Sequence, residues 1–82
     1  ELIKGGLYLG RITQRKEFGV FVRIANHEGL VHVSELTETL STSTYREGEE
    51  LLVRVLGADQ RGRLKLSQKA ARGEVESDAL NT

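Results

Sequence analysis

Cysteine is absent from the 82 residues, and only two tyrosines and two phenylalanines represent the aromatic side chains. Without thiols, neither a disulfide framework nor a thiolate metal site can reinforce a small core. Their absence fits a reducing compartment, so we expect a cytoplasmic location, or an organelle matrix if the parent protein is organellar. No apolar run approaches the length of a membrane helix, and no signal peptide opens the chain. Because the sequence begins with Glu1, we expect it to be a fragment of a larger parent protein.

The zero net charge is an average over two unlike parts. Residues 1–69 hold eleven lysines and arginines against nine carboxylates, whereas residues 70–82 hold one arginine against three carboxylates. The C-terminal part also lacks aromatics and has few large apolar side chains. It therefore cannot bury enough apolar surface to offset the conformational entropy lost on folding. We therefore predict a mildly basic domain over residues 1–71 and a disordered acidic tail over residues 72–82.

Short runs in which aliphatic and polar residues alternate, separated by glycine, indicate β-strands. Five such runs are present: Leu7 to Arg15, Phe18 to Ile24, Gly29 to Val33, Leu51 to Ala58, and Arg63 to Lys69. Ser34 is placed to cap a brief helical turn over Glu35 and Leu36, and Asp59 opens a hairpin turn that ends at Gly62. The pattern predicts a small all-β barrel or sandwich. The long connection between the third and fourth runs is what a Greek-key barrel needs to cross its end.

The second run separates a core face from a solvent face. Strict alternation gives three residues to the inward face: Val20, Val22 and Ile24. Phe21 and Arg23 then point outwards. Phe18 would normally face inwards, but a bulge at Gly19 would turn it outwards beside Phe21.

Neighbouring strands add polar groups to this outward face. His32 lies opposite the inward valines of the third strand, and Leu64 and Leu66 point inwards from the fifth. Three other residues of the fifth strand are therefore predicted to point outwards: Arg63, Lys65 and Ser67. Exposed aromatics with cations beside them are the composition expected for stacking unpaired bases while neutralising a nucleic-acid backbone.

Four blocks of the sequence resemble the S1 RNA-binding domain that is repeated in ribosomal protein S1. They are Gly10 to Thr13, Phe18 to Val22, Glu28 to Ser34, and Gly62 to Ser67. The resemblance implies a five-stranded antiparallel Greek-key barrel of the oligonucleotide-binding (OB) fold, which binds single-stranded RNA on one face with little sequence specificity. It also implies a contact set: Phe18, Phe21, His32, Asp59 and Arg63. From the outward face we add two secondary contacts, Arg23 and Lys65.

Similar domains occur in polynucleotide phosphorylase, in several ribonucleases and in some translation factors. Residues 69–71, running directly into an acidic tail, resemble the C-terminal end of a polynucleotide phosphorylase. We therefore favour that host, with RNA degradation or translation as the expected setting.

Several residues have an alternative interpretation. An Asp that opens an Asp-x-x-Gly turn is as well explained by turn formation as by RNA contact, and Asp59 is compatible with both roles. Arg63 and Lys65 would also suit an ordinary solvated strand face. The same exposed aromatics would serve a protein-interaction barrel, which is the alternative function.

Catalysis finds no support in the sequence. Two histidines without cysteine and without metal-ligand spacing give no metal site, and the scattered glycines match no phosphate-binding loop. Nothing supplies an oxyanion hole beside His32 and Ser34. We predict a non-catalytic, monomeric domain without cofactor or metal, whose partner is single-stranded RNA, even if the parent protein is an exoribonuclease.

Overall fold

Five β-strands and one 3-10 turn make up the part of the chain that the computed structural model describes, residues 2–37 and 41–72. The strands are β1 Leu7–Lys16, β2 Gly19–Ile24, β3 His27–His32, β4 Glu50–Ala58 and β5 Leu64–Ser67. The 3-10 turn, Val33–Glu35, follows β3 directly, and residues 68–72 form a helical turn after β5. The predicted all-β fold with a short helical turn before the fourth strand is confirmed. Residues 38–40 of the predicted loop and 73–82 of the predicted tail lie outside the described residues.

The strands close into a barrel in the order β1-β2-β3-β5-β4. Four neighbouring pairs of this described barrel are antiparallel, whereas β3 and β5 run parallel, with Leu30 beside Lys65 and Val31 beside Leu66. Strand directions can alternate around a closed ring only when the number of strands is even. The predicted five-stranded Greek-key barrel is confirmed. A ring of five strands needs one parallel pair, here β3 and β5, so antiparallel pairing holds for the other four pairs.

Aliphatic side chains from alternate strand positions fill the barrel interior. The three predicted inward residues of β2 are buried, and Val22 is completely inaccessible to solvent. Tyr45 joins this core from the connection that precedes β4, and its hydroxyl donates to Oε1 of Gln68 at 2.7 Å. The largest fully buried apolar side chains are Ile12, Leu36, Leu66, Val20, Val22, Val31 and Val53.

The predicted bulge at Gly19 is wrong, because this residue pairs with His32 in regular register. A Cβ atom at Gly19 would overlap the carbonyl oxygen of Val31 and lie 3.0 Å from the Cα of His32. Glycine is therefore needed here for the close approach of β2 to β3. Phe18 precedes β2 and is exposed without a bulge. Register irregularities occur instead between Ile12 and Gln14 in β1 and between Val55 and Gly57 in β4.

The fifth strand ends at Ser67, two residues earlier than predicted, and Ser67 is fully buried rather than outward. Its hydroxyl donates to Oε1 of Glu35 at 2.6 Å and accepts from the backbone N–H of Ala70 at 2.9 Å. The bond to Ala70 competes with continued strand pairing and starts the helical turn, so Gln68 and Lys69 leave the strand. Across residues 2–37 and 41–72, no helix is long and apolar enough to cross a membrane.

The burial pattern of β2 predicts a clear separation of stability effects. Val22→Ala removes methyl groups from a fully buried position and leaves a cavity, so we expect the free energy of unfolding to fall by about 1–3 kcal/mol. Arg23→Ala changes the next, exposed residue and serves as the control, with an expected change within about 0.5 kcal/mol. Urea denaturation followed by circular dichroism measures both values. Equal losses in the two variants would contradict the assignment of faces on β2.

Candidate nucleic-acid interface

Phe18 and Phe21 form an aromatic pair on the outside of the barrel, which we call the aromatic platform. Their ring centroids lie 6.1 Å apart with the ring planes at 90°, an edge-to-face arrangement that aromatic pairs favour. Phe18 is 49% exposed and Phe21 is half-buried. The guanidinium carbon of Arg63 lies 5.2 Å from the centroid of the Phe21 ring, within the range of a cation–π interaction. The platform therefore offers aromatic surface and positive charge at one place.

His32 ends β3 at the edge of this platform and is exposed. Its Nδ1 accepts from the backbone N–H of Ser34 at 3.2 Å, so the imidazole caps the 3-10 turn. The prediction that Ser34 provides the cap is wrong, because the turn begins at Val33 and Ser34 already lies inside it. When Nδ1 accepts this bond, the proton of the imidazole is on Nε2. Among the described residues Nε2 has no partner, which leaves it able to donate to a phosphate or a base.

Asp59 fixes the turn between β4 and β5 and thereby positions Arg63. Its Oδ1 accepts from the backbone N–H groups of Arg61 and Arg63, both at 2.9 Å. These bonds lower the pKa of the Asp59 carboxyl, the bond from Arg63 most strongly, and the charges of both arginines act in the same direction. The turn-forming interpretation of Asp59 is thus realised. Within the described part of the chain Oδ2 has no partner, so a contact with RNA stays compatible with it.

A groove of about 350 Å³ runs along the outside of β5, and we call it the β5 groove. Four leucines line it: Leu30, Leu56, Leu64 and Leu66. Four of the predicted contact residues also line it: His32, Asp59, Arg63 and Lys65. The structure therefore brings these four together, with the aromatic platform beside them through Arg63.

Arg23 stands apart from this groove. It is exposed on β2, and its register partners are Arg11 on β1 and Glu28 on β3. Arg11 pairs with Glu50 at 3.4 Å, whereas Arg23 has no side-chain partner among the described residues. Arg23 can add charge beyond the platform, but it does not share the groove with Lys65.

Sequence reasoning did not assign six of the residues that line the β5 groove to the site: Leu30, Ser34, Glu35, Leu56, Leu64 and Leu66. Leu30 follows from alternation, since it lies between buried Gly29 and Val31. Ser34 and Glu35 belong to the 3-10 turn, so strand alternation does not govern them. In the described residues no group of three histidine, aspartate or glutamate side chains is arranged to hold a metal ion.

The lowered pKa of Asp59 predicts how stability changes in acid. A depressed folded-state pKa means that folding favours the ionised carboxylate, so this contribution is complete above the unfolded pKa of about 3.9. It is then lost as the pH falls through the lower folded-state pKa. We expect Asp59→Asn to lose less stability than the wild type between about pH 5 and pH 2. Urea unfolding across this window measures the difference, and parallel curves for the two proteins would contradict the role of the carboxylate.

Comparison with known proteins agrees with this architecture. The model of the S1 RNA binding domain family matches residues 1–69. Polyribonucleotide nucleotidyltransferase of Trichlorobacter lovleyi is 44% identical over 78 residues, which cover 90% of this chain and 11% of that protein. The same enzyme of Natranaerobius thermophilus is 42% identical over 89 residues, covering 99% of this chain and 12% of that protein. The chain thus spans about an eighth or less of the length of these relatives.

Solved structures give the same result. The solution structure of GSP13 from Bacillus subtilis superposes with a TM-score of 0.75 at 32% identity, over 85% of this chain and 58% of that chain. A chain of the a/eIF2alpha–aDim2p–rRNA complex from Pyrococcus horikoshii shares the fold, with a TM-score of 0.78 at 20% identity over 99% of this chain and 52% of that chain. On the family match and the conserved barrel, this chain belongs to the S1 RNA-binding domain family.

Proposed function

We propose that this domain binds single-stranded RNA by stacking unpaired bases on the aromatic platform while nearby cations neutralise the backbone. The observation that carries the proposal is the exposed pair of Phe18 and Phe21 with Arg63 over the Phe21 ring. Every base has a π-face, so such a platform binds bases with little regard to sequence. Nε2 of His32 and the ammonium of Lys65 are the further donors for phosphate oxygens.

Single strands suit this surface better than duplexes. Bases in a duplex are already stacked and paired, so they cannot lie on the two phenylalanine rings. Among the described residues no helix or ribbon projects from the barrel that would enter a groove of the duplex. A ribose 2′-hydroxyl contact, with Oδ2 of Asp59 as acceptor, would add a modest preference for RNA over DNA.

We further propose that the parent protein is a polyribonucleotide nucleotidyltransferase, since the relatives with 44% and 42% identity carry that name. In such a host the domain itself would perform no chemistry. It would hold RNA near a catalytic centre elsewhere in the chain, which raises the local substrate concentration. A cytoplasmic location and a monomeric state for the isolated domain are part of the same proposal.

The affinity of the isolated domain is expected to be weak and to depend on Phe21. Each stacked base contributes on the order of 1–3 kcal/mol, and only two rings are available, so the expected Kd is roughly micromolar or weaker. Phe21→Ala should weaken binding by roughly fivefold to 150-fold, with a much smaller loss of thermal stability than Val22→Ala. Leu52→Ala, at an exposed aliphatic position on β4 away from the platform, is the control and should leave the Kd unchanged. Fluorescence anisotropy with a labelled unstructured RNA gives the Kd values. Nanomolar binding, or equal binding by the two variants, would contradict the proposed site.

Amide shifts recorded by NMR test where and how RNA is bound. Titration with a single-stranded RNA should move signals around Phe18 to Phe21, His32 and Arg63, while a matched duplex should move them far less. Binding should also weaken steeply as salt is raised, because phosphate contacts release counterions. Equal binding of the duplex, with shifts spread over Arg11, Arg15 and Lys16, would mean that electrostatics alone carries the interaction. Salt-independent docking of a protein on the same aromatics would favour the alternative function.

A further inference from the structure

Glu35 presents a fixed carboxylate to the β5 groove. Its Oε1 accepts from the hydroxyl of Ser67 at 2.6 Å, and that hydroxyl in turn accepts from the backbone N–H of Ala70 at 2.9 Å. Ser67 is fully buried, so the chain of two hydrogen bonds is anchored inside the protein. Among the described residues Oε2 of Glu35 has no partner. An acceptor held in place on one side and unoccupied on the other is therefore available to a ligand.

The β5 groove has the size and lining for one nucleotide. Its volume of about 350 Å³ lies at the lower end of small-molecule sites, which range from about 300 to 1,000 Å³. Leucine side chains provide apolar surface for the faces of a base. Arg63 and Lys65 provide charge for a phosphate, and Glu35 provides an acceptor for the edge of the base.

The two carboxylates of the groove stand at opposite ends of β5. Glu35 contacts Ser67, the last residue of the strand, whereas Asp59 bonds the backbone of Arg63, which precedes the first. Ser67 lies four positions after Arg63, which in extended chain corresponds to about 13 Å. Arg61 and Arg63 accompany Asp59 and would draw a phosphate to that end. No Lys or Arg of the described residues forms an ion pair with Glu35, so its carboxylate is left to meet a base.

The following inference rests on the proposed RNA binding. We propose that the groove takes up one base of the bound strand and that Oε2 of Glu35 selects bases with an exocyclic amino group. Cytosine and uracil differ in the hydrogen-bonding group at position 4 of this edge. Cytosine carries an N4 amino group that donates to a carboxylate, whereas uracil carries a carbonyl oxygen at the same position. A carboxylate facing that carbonyl places two acceptors together without a proton between them. Cytosine is thus preferred to uracil in the groove, on top of sequence-tolerant stacking on the platform.

Glu35→Gln tests this directly, because the substitution exchanges the exposed acceptor for a donor. The amide oxygen of glutamine can still accept from Ser67, which leaves the amide nitrogen to face the groove and donate to the uracil carbonyl. Glu28→Gln is the matched control. It removes the same charge from an exposed carboxylate on β3, which bonds Thr13 at 3.0 Å and lies outside the groove.

The Kd values of oligocytidylate and oligouridylate of equal length are measured by fluorescence anisotropy for the wild type and both variants. We expect the wild type to bind oligocytidylate about threefold to tenfold more tightly. In Glu35→Gln this ratio should fall to about one or reverse. In Glu28→Gln it should stay as in the wild type while both RNAs bind somewhat more tightly, because a negative charge is lost. Equal wild-type affinities, or a ratio that Glu35→Gln leaves unchanged, would overturn the inference.

A second measurement needs no variant and so holds even if Glu35→Gln destabilises the fold. Replacing each cytosine by N4,N4-dimethylcytosine removes both amino protons from the RNA, and the wild-type preference should disappear. An unchanged affinity for the methylated strand would overturn the inference. The proposed function can be tested separately from this inference. If both RNAs bind with equal affinity and Phe21→Ala abolishes that binding, the role of the platform stands and the role of Glu35 is rejected. If neither RNA binds, both proposals are rejected.

Discussion

Packing inside the barrel determines which side chains of β2 remain for binding. Once the aliphatic residues of β2 fill the interior, Phe21 has to project to the outside. Gly19 allows β2 to approach β3 closely, and the backbone N–H of Val33 donates to the carbonyl oxygen of Phe18 at 2.8 Å. That bond ties the residue before β2 to the 3-10 turn, and it helps to hold the two rings at their edge-to-face separation. Core packing therefore places the aromatic platform on the outside of the barrel, and the two rings do not have to fill the interior themselves.

The parallel pairing of β3 and β5 distributes chemistry along the groove. Because both strands run in the same direction, His32 and Ser67 come at the same end, and the 3-10 turn adds Glu35 there. The other end receives Arg63 and Asp59 from the turn before β5. If β5 ran antiparallel to β3, Arg63 and Asp59 would lie at the same end as His32. In the parallel arrangement a hydrogen-bonding end and a strongly cationic end are separated by a leucine-lined stretch, which matches the alternation of base and phosphate in a nucleotide.

The sequence predicts the parts of this structure that depend on short-range pattern. Alternation along β2 is sufficient to put Val22 inside and Phe21 outside, and the resemblance to the S1 domain family supplies His32, Asp59 and Arg63, whose contact with RNA stays a prediction. The burial of Ser67 was not predictable in this way, because it depends on a hydrogen bond to Glu35, which lies 32 residues earlier in the chain.

The predicted bulge at Gly19 failed for a related reason. A glycine in a strand indicates either a bulge or a close approach, and only the position of the partner strand distinguishes them. Here the partner is the backbone of Val31. The sequence of β2 carries no information about that distance, since it arises from how β3 is placed across the sheet.

The odd number of strands also gives the proposed RNA-binding surface a direction. A ring with a single parallel pair cannot be rotated by half a turn onto itself, and its two ends carry different groups, an imidazole and a carboxylate at one and a guanidinium at the other. RNA is itself a directional polymer, since its 5′ and 3′ ends are chemically distinct. If the proposed contacts form, a strand laid along β5 in one sense brings its bases and phosphates to matching groups, and in the opposite sense it does not. Under the proposed binding mode the barrel would therefore favour one polarity of the bound strand, and in the proposed host it would present RNA to a neighbouring site with a defined end leading.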